Sequence, residues 1–314
     1  MRDKHLSFVF PGQGSQSTGM LSDLACAHPS MALTFEEASD RLGYDLWSLI
    51  QNNPNDEISL THNTQPALLT CSVAIWRLWG EMEGPQPVVM AGHSLGEYSA
   101  LVCGGVIAFK DAVSLVVDRG KYMQEAVPEG IGAMAAILGL DNEQVQQVCK
   151  EAAQSQIVSA ANYNTAGQVV IAGHAQAVDR AIILSKKAGA SRALLLPVSV
   201  PSHCALMGEA ADRFAKRLEQ VTFSEAKIPI IQNVDAEQRS SANEIKEALL
   251  QQLRQPVRWV DTIEKIRSMG VTHMVECGPG KVLTGLIKRI DRSLSVYPVF
   301  DENSFKVAID GGES

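Results

Sequence analysis

The chain alternates short apolar runs, which predict buried strands, with longer amphipathic stretches, which predict helices. Strands are predicted at 6–10 (LSFVF) and 87–91 (PVVMA), and helices at 65–78 and 111–124. This alternation is typical of an α/β protein with a largely parallel sheet. We therefore predict an α/β fold.

The pattern changes in the middle of the chain. Between residues 128 and 199 the predicted order is β-α-β-β-α-β, which is the order of a ferredoxin-like unit. After it, the α/β pattern resumes, with predicted helices at 204–219, 242–253 and 260–268 and predicted strands at 228–233 and 272–276. We therefore expect a large domain formed by 1–127 and 200–314, with a small ferredoxin-like domain inserted at 128–199.

The composition and charge of the chain exclude several classes of protein function. The 314 residues have a net charge of −8, which argues against a nucleic-acid binder. No apolar run approaches the ~20 residues that span a bilayer, and the run at 6–10 is too short for a secretory signal. The six cysteines are scattered without metal-ligand spacing, as in a protein with reduced thiols. We expect a cytoplasmic enzyme with no metal site and no membrane or nucleic-acid partner.

The segment Gly92-His93-Ser94-Leu95-Gly96 lies between a predicted strand and a predicted helix at 97–106. A Gly-x-Ser-x-Gly in this context is typical of a nucleophile elbow, in which the turn is too tight for side chains at the glycines. Ser94 would stand at a helix start, where free N–H groups favour negative charge. The alternative is an ordinary glycine turn around a serine.

A serine nucleophile needs a base, and His203 is the best candidate among seven histidines. It follows the predicted strand 192–198, where the carboxyl edge of an open sheet forms sites, although it could simply pack against the next helix. His93 adjoins the serine but should point away from it. No acidic residue between Ser94 and His203 stands in a distinctive strand-end loop, so an unpaired carbonyl near Gln252 could orient the imidazole instead. This arrangement is a Ser-His dyad.

Arg119 projects from the apolar face of the predicted helix 111–124, where an unpaired guanidinium is costly. It could form an internal ion pair or extend to solvent, or it could bind a substrate carboxylate. The loop at 12–14 is either a plain turn or the source of an oxyanion-binding N–H, with Leu95 as the second donor. The segment 278–281 (GPGK) lacks Walker A spacing and is interpreted as a strand-to-helix turn.

These motifs together resemble the malonyl-coenzyme A:acyl carrier protein transacylase family of bacterial type II fatty acid synthesis. The resemblance runs from about residue 5 to 300, and its motifs occur in order. They are PGQGSQ at 11–16, GHSLGEYSAL at 92–101, DRGKYMQ at 118–124, NYNTAGQVVIAG at 162–173, VPSHCALM at 200–207, QLRQPVRW at 252–259 and ECGPGKVL at 276–283.

The resemblance implies a hydrolase-like large domain with a ferredoxin-like insertion, and a malonyl transfer through an acylated serine. The roles that it implies are Ser94 as nucleophile, His203 as general base and acid, Arg119 as carboxylate clamp, the N–H groups of Gln13 and Leu95 as oxyanion hole, the carbonyl of Gln252 as the group that orients His203, and Gln65, His93 and Asn162 as further residues near the site. The substrate would be malonyl-CoA, the acceptor the phosphopantetheine of acyl carrier protein, and no cofactor would be needed.

Two other functions stay open from the sequence: a serine thioesterase or esterase with the same elbow, and a non-catalytic module that docks carrier protein. Carrier proteins are acidic, so docking should use a local basic patch on a chain that we expect to be a monomer. Two candidate patches exist, although each could be a solvated helix face. They are Lys186, Lys187 and Arg192, or Lys281, Lys288 and Arg289.

Overall fold

A computed structural model describes residues 3–198, 200–239 and 241–311 of the chain. The larger of its two sheets is parallel throughout, in the order β7-β2-β1-β8-β9. Its strands are β1 (Leu6–Phe10), β2 (Val89–Gly92), β7 (Ile230–Ile231), β8 (His273–Cys277) and β9 (Ser295–Val299). Every residue of β1 is buried, as expected for the central strand of a sheet covered on both faces.

The second sheet is antiparallel, in the order β4-β5-β3-β6. Its strands are β3 (Gly132–Leu138), β4 (Val158–Thr165), β5 (Gln168–His174) and β6 (Arg192–Leu195). Two helices, α7 (Asn142–Ala153) and α8 (Ala175–Lys187), complete a β-α-β-β-α-β unit. The α/β fold class and the ferredoxin-like unit are therefore confirmed, whereas the exact domain boundaries stay predictions.

The remaining helices pack around the parallel sheet or connect the two sheets. They are α1 (Ser22–Ala27), α2 (Met31–Leu42), α3 (Leu46–Asn52), α4 (Thr61–Glu81), α5 (Gly96–Cys103), α6 (Phe109–Ala126), α9 (Gly208–Glu219), α10 (Ala242–Arg254), α11 (Trp259–Ser268), α12 (Val282–Ile290) and α13 (Glu302–Ile309), with short 3₁₀ turns at Pro54–Ser59 and Ala205–Met207. None of the helices described is long and apolar enough to cross a membrane.

Strand pairing brings two loops together at one edge of the parallel sheet. Phe10, the last residue of β1, pairs with Gly92, the last residue of β2. The backbone N–H of His93 donates to the carbonyl of Phe10 at 2.9 Å. The loop 11–14 and the elbow 92–96 therefore lie side by side where the carboxyl ends of parallel strands meet, which is the edge at which open α/β sheets form sites.

Several element bounds differ from the sequence predictions. The strand predicted at 228–233 is only Ile230–Ile231 long, because the backbone N–H of Asn233 donates to a carboxylate of Glu97 instead of a strand. The strand predicted at 192–198 ends at Leu195, and the helix predicted from residue 204 begins with a 3₁₀ turn. The sequence analysis missed β9 and α13, both near the end of the chain.

Candidate active site

The glycines of the elbow are required by close backbone approaches. A Cβ atom on Gly92 would lie 1.9 Å from the carbonyl oxygen of Gly96, and one on Gly96 would lie 2.0 Å from the carbonyl oxygen of Phe10. Between them, Ser94 has a φ of +54°, in the left-handed region that non-glycine residues seldom adopt. The turn therefore presents the Ser94 side chain at the start of α5, as the elbow motif predicts.

Ser94 and His203 lie within hydrogen-bonding distance across 109 positions of sequence. Ser94 Oγ is 2.7 Å from His203 Nε2, and His203 Nδ1 is 2.6 Å from the main-chain carbonyl oxygen of Gln252. Burial, and next the charge of Arg119, lower the pKa of His203 to about 3. The imidazole is therefore neutral, with Nδ1–H donating to the Gln252 carbonyl and Nε2 free to accept the serine proton.

Arg119 is almost completely buried, with 2% of its surface exposed. Its Nη1 donates to Gln65 Oε1 at 2.8 Å, and its Nη2 donates to Gln252 Oε1 at 3.0 Å and to Ser94 Oγ at 3.3 Å. Its guanidinium lies 5.2 Å from the centre of the Tyr98 ring. Within the described part of the chain no carboxylate forms an ion pair with it. The guanidinium therefore has neutral partners beside the serine and can accept an anion there.

The two predicted oxyanion donors lie on the two adjacent loops. Neither the N–H of Gln13 nor that of Leu95 has a hydrogen-bond acceptor among the described residues, and both residues line the same cavity as Ser94. Gly12 allows this approach, because a Cβ there would lie 2.4 Å from the carbonyl oxygen of His93. Two free N–H groups next to a nucleophile are what an oxyanion hole needs.

The three further predicted residues make different contacts. Gln65 is buried and bonds Arg119 directly. His93 points away from Ser94, and its Nε2 lies 2.9 Å from Asn164 Oδ1. Asn162 is buried in the cavity wall.

Two buried residues that hold the elbow were not predicted from the sequence. Asn233 Oδ1 accepts the backbone N–H of Ser94 at 2.7 Å, and its Nδ2 donates to the carbonyl of Gly92 at 2.6 Å. Glu97 Oε2 accepts the N–H of Asn233 and Nε2 of Gln252, each at 2.9 Å. An acidic residue in the otherwise apolar segment of α5 is the same kind of anomaly that singled out Arg119, and it could have been found that way.

The antiparallel sheet and the loops after β1 and β2 contribute walls to one cavity of about 300 Å³ around the serine. Its lining residues are Gly12, Gln13, Ser15, Thr61, His93, Ser94, Leu95, Arg119, Met123, Met134, Ala136, Asn162, Asn164, Gln168, Val170, Leu196, Val198, Val200, Ser202, His203, Val282, Leu283 and Leu286. A second cavity, of about 590 Å³ near α2 and α3, contains none of the predicted site residues. Among the described residues, no group of three or more His, Cys, Asp or Glu side chains could hold a metal ion.

The known proteins that are similar to this chain are acyl transferases. The model of the acyl transferase domain family matches residues 7–302. The malonyl CoA-acyl carrier protein transacylase of Escherichia coli strain K12 is 55% identical over 304 residues, which cover 97% of this chain and 98% of that protein.

Solved structures of malonyl-transferring enzymes are similar to this chain over almost its whole length. A malonyl-transacylase in complex with a type II PKS acyl-carrier protein has a TM-score of 0.97 and 57% identity, covering 98% of this chain and 99% of that one. An acyl carrier protein S-malonyltransferase from Vibrio cholerae has a TM-score of 0.95 and 54% identity, covering 97% and 99%. This chain therefore belongs to the acyl transferase family, within it to the malonyl-CoA–acyl carrier protein transacylases, and it is an acyltransferase.

Proposed function

We propose that this acyltransferase moves a malonyl group from malonyl-CoA to the phosphopantetheine thiol of an acyl carrier protein, through a malonyl ester of Ser94. The observation that supports this most strongly is the position of Ser94 Oγ, which contacts both His203 Nε2 and Arg119 Nη2. A base and a carboxylate-binding cation on one hydroxyl suit an acyl group that has its own free carboxylate.

In the first half-reaction, His203 Nε2 takes the Ser94 proton while Oγ forms a bond to the thioester carbonyl carbon. The resulting oxyanion accepts hydrogen bonds from the N–H groups of Gln13 and Leu95, each of which supplies about 2.7–4 kcal/mol in comparable sites. The C–S bond then breaks, and the coenzyme A thiolate takes the proton from the imidazolium. The products are malonyl-Ser94 and free coenzyme A.

The second half-reaction runs the same steps with a different thiol. His203 accepts the proton of the phosphopantetheine thiol, and the sulfur attacks the ester carbon of malonyl-Ser94. The same two N–H groups hold the oxyanion, the C–O bond breaks, and Ser94 regains its proton from His203. No electrons are gained or lost in either half, so the chemistry calls for no redox cofactor.

Selection for malonyl over acetyl groups is assigned to Arg119. A bound malonyl carboxylate pairs with the buried guanidinium, whereas an acetyl group leaves that charge without an anion. Gln65 and Gln252 support this role because their side-chain oxygens orient the two Nη atoms.

Intact mass spectrometry tests the proposal. Wild-type enzyme mixed with malonyl-CoA should gain one malonyl group and lose it when holo acyl carrier protein is added, whereas Ser94→Ala should gain none. A mass increase in Ser94→Ala would contradict the assignment of the nucleophile. A thioesterase would release malonate without a thiol acceptor, and a non-catalytic docking module would not be labelled at all.

For carrier-protein docking we favour the basic residues of α12 and its preceding loop over those of α8 and β6. Val282, Leu283 and Leu286 of α12 line the active-site cavity, and Arg289 bonds Gln168, which lines it too. A partner that inserts a phosphopantetheine arm must sit at the cavity mouth. Lys288 and Arg289 are on α12 and Lys281 directly precedes it, next to the residues that line the cavity, which supports a docking role for all three.

We also propose a cytoplasmic enzyme that acts as a monomer. All proposed catalytic groups come from one chain, so the site needs no residue from a second copy. All six cysteines are free thiols, and five of them are buried, which suits a reducing compartment. Sedimentation analysis at working concentration tests the monomer, and a dimeric mass would contradict it.

A further inference from the structure

Glu97 is a fully buried carboxylate that the proposed mechanism does not use. It lies in the first turn of α5, three residues after Ser94. Its Oε2 accepts two hydrogen bonds, from the N–H of Asn233 and from Nε2 of Gln252, while its Oε1 has no hydrogen-bond partner in the described residues. A buried charge that is not fully hydrogen-bonded is costly, so an opposite charge nearby is expected to stabilise it.

Two cations act on Glu97, and Arg239 already pairs with Asp235. The other cation is Arg119, and the side-chain amide of Gln252 separates it from Glu97. Gln252 Oε1 accepts from Arg119 Nη2 at 3.0 Å, and Gln252 Nε2 donates to Glu97 Oε2 at 2.9 Å. The amide therefore has its oxygen towards the cation and its nitrogen towards the anion, which is the favourable orientation for both. The charge of Arg119 also counteracts the rise in the pKa of Glu97 that burial causes.

We propose that Glu97 is the resident counter-charge of Arg119, relayed through Gln252, and that the malonyl carboxylate competes with it for the guanidinium. This inference rests on the proposed function, because it assumes that Arg119 binds the malonyl group. Glu97 never touches the substrate in this proposal, so it is a positioning and specificity-determining residue.

The charges determine whether Glu97 strengthens or weakens malonyl binding. When Glu97 is ionised, the charges of Arg119 and Glu97 in the free enzyme sum to zero, and a bound malonyl carboxylate makes the sum negative. If residue 97 is neutral, the free site is positive and the malonyl-bound site is neutral. Because a net charge is disfavoured in a buried site, Glu97 weakens malonyl binding and so keeps malonyl-Ser94 from becoming too stable to transfer.

Glu97→Gln separates charge from geometry. The new amide oxygen can occupy the place of Oε2 and still accept from Asn233 and Gln252, and the new NH₂ replaces an oxygen that has no partner. Binding is measured by titration calorimetry in the Ser94→Ala background, so that no acyl transfer occurs. At pH 8.5, where a carboxyl with a pKa of about 7 is almost fully ionised, we expect malonyl-CoA to bind on the order of tenfold more tightly after Glu97→Gln, with acetyl-CoA affinity unchanged.

Two control variants in the same background make the result specific. Glu276→Gln removes another buried carboxylate, which accepts hydrogen bonds from the first turn of α12, including Leu283 and Thr284, and it should not change the ratio of malonyl-CoA to acetyl-CoA affinity. Arg119→Ala should weaken malonyl-CoA binding. If Arg119→Ala does not, the role of Arg119 as the malonyl clamp and the inference fail together, whereas malonyl transfer through Ser94 is tested separately by its labelling. If Arg119→Ala does weaken binding but Glu97→Gln binds malonyl-CoA equally or less tightly, only the inference fails.

A second measurement leaves residue 97 unchanged, so it tests the inference even if Glu97→Gln does not fold. Burial raises the pKa of Glu97 to about 7, and the charged or titratable groups that act on it are Arg119, Arg239 and Tyr98. A malonyl carboxylate raises this pKa further. Calorimetry at pH 7 in buffers of different ionisation enthalpy should therefore show proton uptake with malonyl-CoA and less with acetyl-CoA. Equal uptake with both would overturn the inference.

Discussion

The main-chain carbonyl oxygen of Gln252 lies 2.6 Å from Nδ1 of His203, in the place that a carboxylate occupies in a hydrolase triad. A neutral carbonyl fixes the imidazole tautomer as an aspartate does, but it adds no negative charge to stabilise the imidazolium. The cation of Arg119 close by lowers the pKa of His203 further. The pKa of His203 therefore depends on burial, on Arg119 and on the charge of the acyl group that binds Arg119.

Gln252→Ala should separate the two functions of this residue. The variant keeps the main-chain carbonyl that holds His203 but loses the amide that bonds Arg119, Glu97 and the main-chain carbonyl of Ser94. We expect acylation by p-nitrophenyl acetate, which has no carboxylate, to fall less than about threefold, and kcat/KM for malonyl-CoA to fall about 10-fold or more. Stopped-flow measurement of both donors checks this. Equal losses for the two donors would contradict it.

Arg119→Ala should abolish the preference for malonyl over acetyl groups while Ser94 can still be acylated. Loss of a charge-assisted pair in a buried site corresponds to about 10²-fold or more in relative kcat/KM. Competition between malonyl-CoA and acetyl-CoA, with acyl-Ser94 quantified by mass, measures the ratio. Arg119→Lys is the matched variant, and it should restore only part of the preference because an ammonium lacks the bidentate fork. An unchanged ratio in Arg119→Ala would remove the clamp from the mechanism.

Asn233→Ala should lower both the stability and the acylation rate. It removes the acceptor of the Ser94 N–H and the donor to the Gly92 carbonyl, so a loss of about 1–3 kcal/mol in the free energy of unfolding is expected. Urea unfolding and pre-steady-state acylation check the two effects. Asn164→Ala is the control, since Asn164 contacts the side chain of His93 and not the main chain of the elbow. If both variants slow acylation equally, Asn233 has no special role in holding the nucleophile.

Charge reversal should identify the docking surface for carrier protein. Because Lys288 and Arg289 lie on the helix that lines the cavity, Lys288→Glu with Arg289→Glu should raise KM for acyl carrier protein about 10-fold and leave Ser94 acylation by malonyl-CoA unchanged. Lys186→Glu with Lys187→Glu is the matched control on α8, with the same charge change. A larger effect from the control pair would move the docking surface to α8.

Much of the site could be predicted because its residues violate local patterns. Gly92 and Gly96 flank a serine between a strand and a helix, and Arg119 interrupts an apolar helix face. Such departures from the packing pattern are expected where function outweighs stability. The fold class was predictable for a complementary reason, since strand-sized apolar runs alternate with amphipathic stretches along most of the chain.

The residues that were missed are those whose role depends on tertiary contacts. Asn233 lies in a segment that the apolar pattern assigns to a strand, and only the structure shows its main chain bonded to Glu97 instead. The role of the Gln252 side chain could likewise not be predicted, because the orientation of its amide is set by Arg119 and Glu97 from other helices. Hydrogen-bond networks of this kind leave no periodic pattern in a sequence.

The pKa of His203 predicts how stability depends on pH. Its value is about 3 in the folded chain, against 6.5 for an exposed histidine, so between these values the unfolded chain binds a proton that the folded chain does not. Its contribution to stability is therefore complete above pH 6.5 and falls by about 1.4 kcal/mol for each pH unit below that. Urea unfolding from pH 7 to pH 5 should show this loss in wild type.

His203→Asn is the variant that isolates this effect, because asparagine does not titrate and its amide can still donate to the Gln252 carbonyl. The other buried titrating groups, including Glu97 and His93, are common to both proteins and cancel in the difference. We expect the stability advantage of wild type over His203→Asn to shrink by about 2 kcal/mol between pH 7 and pH 5. Parallel pH profiles would mean that His203 titrates near its ordinary pKa, and that burial beside Arg119 does not keep it neutral.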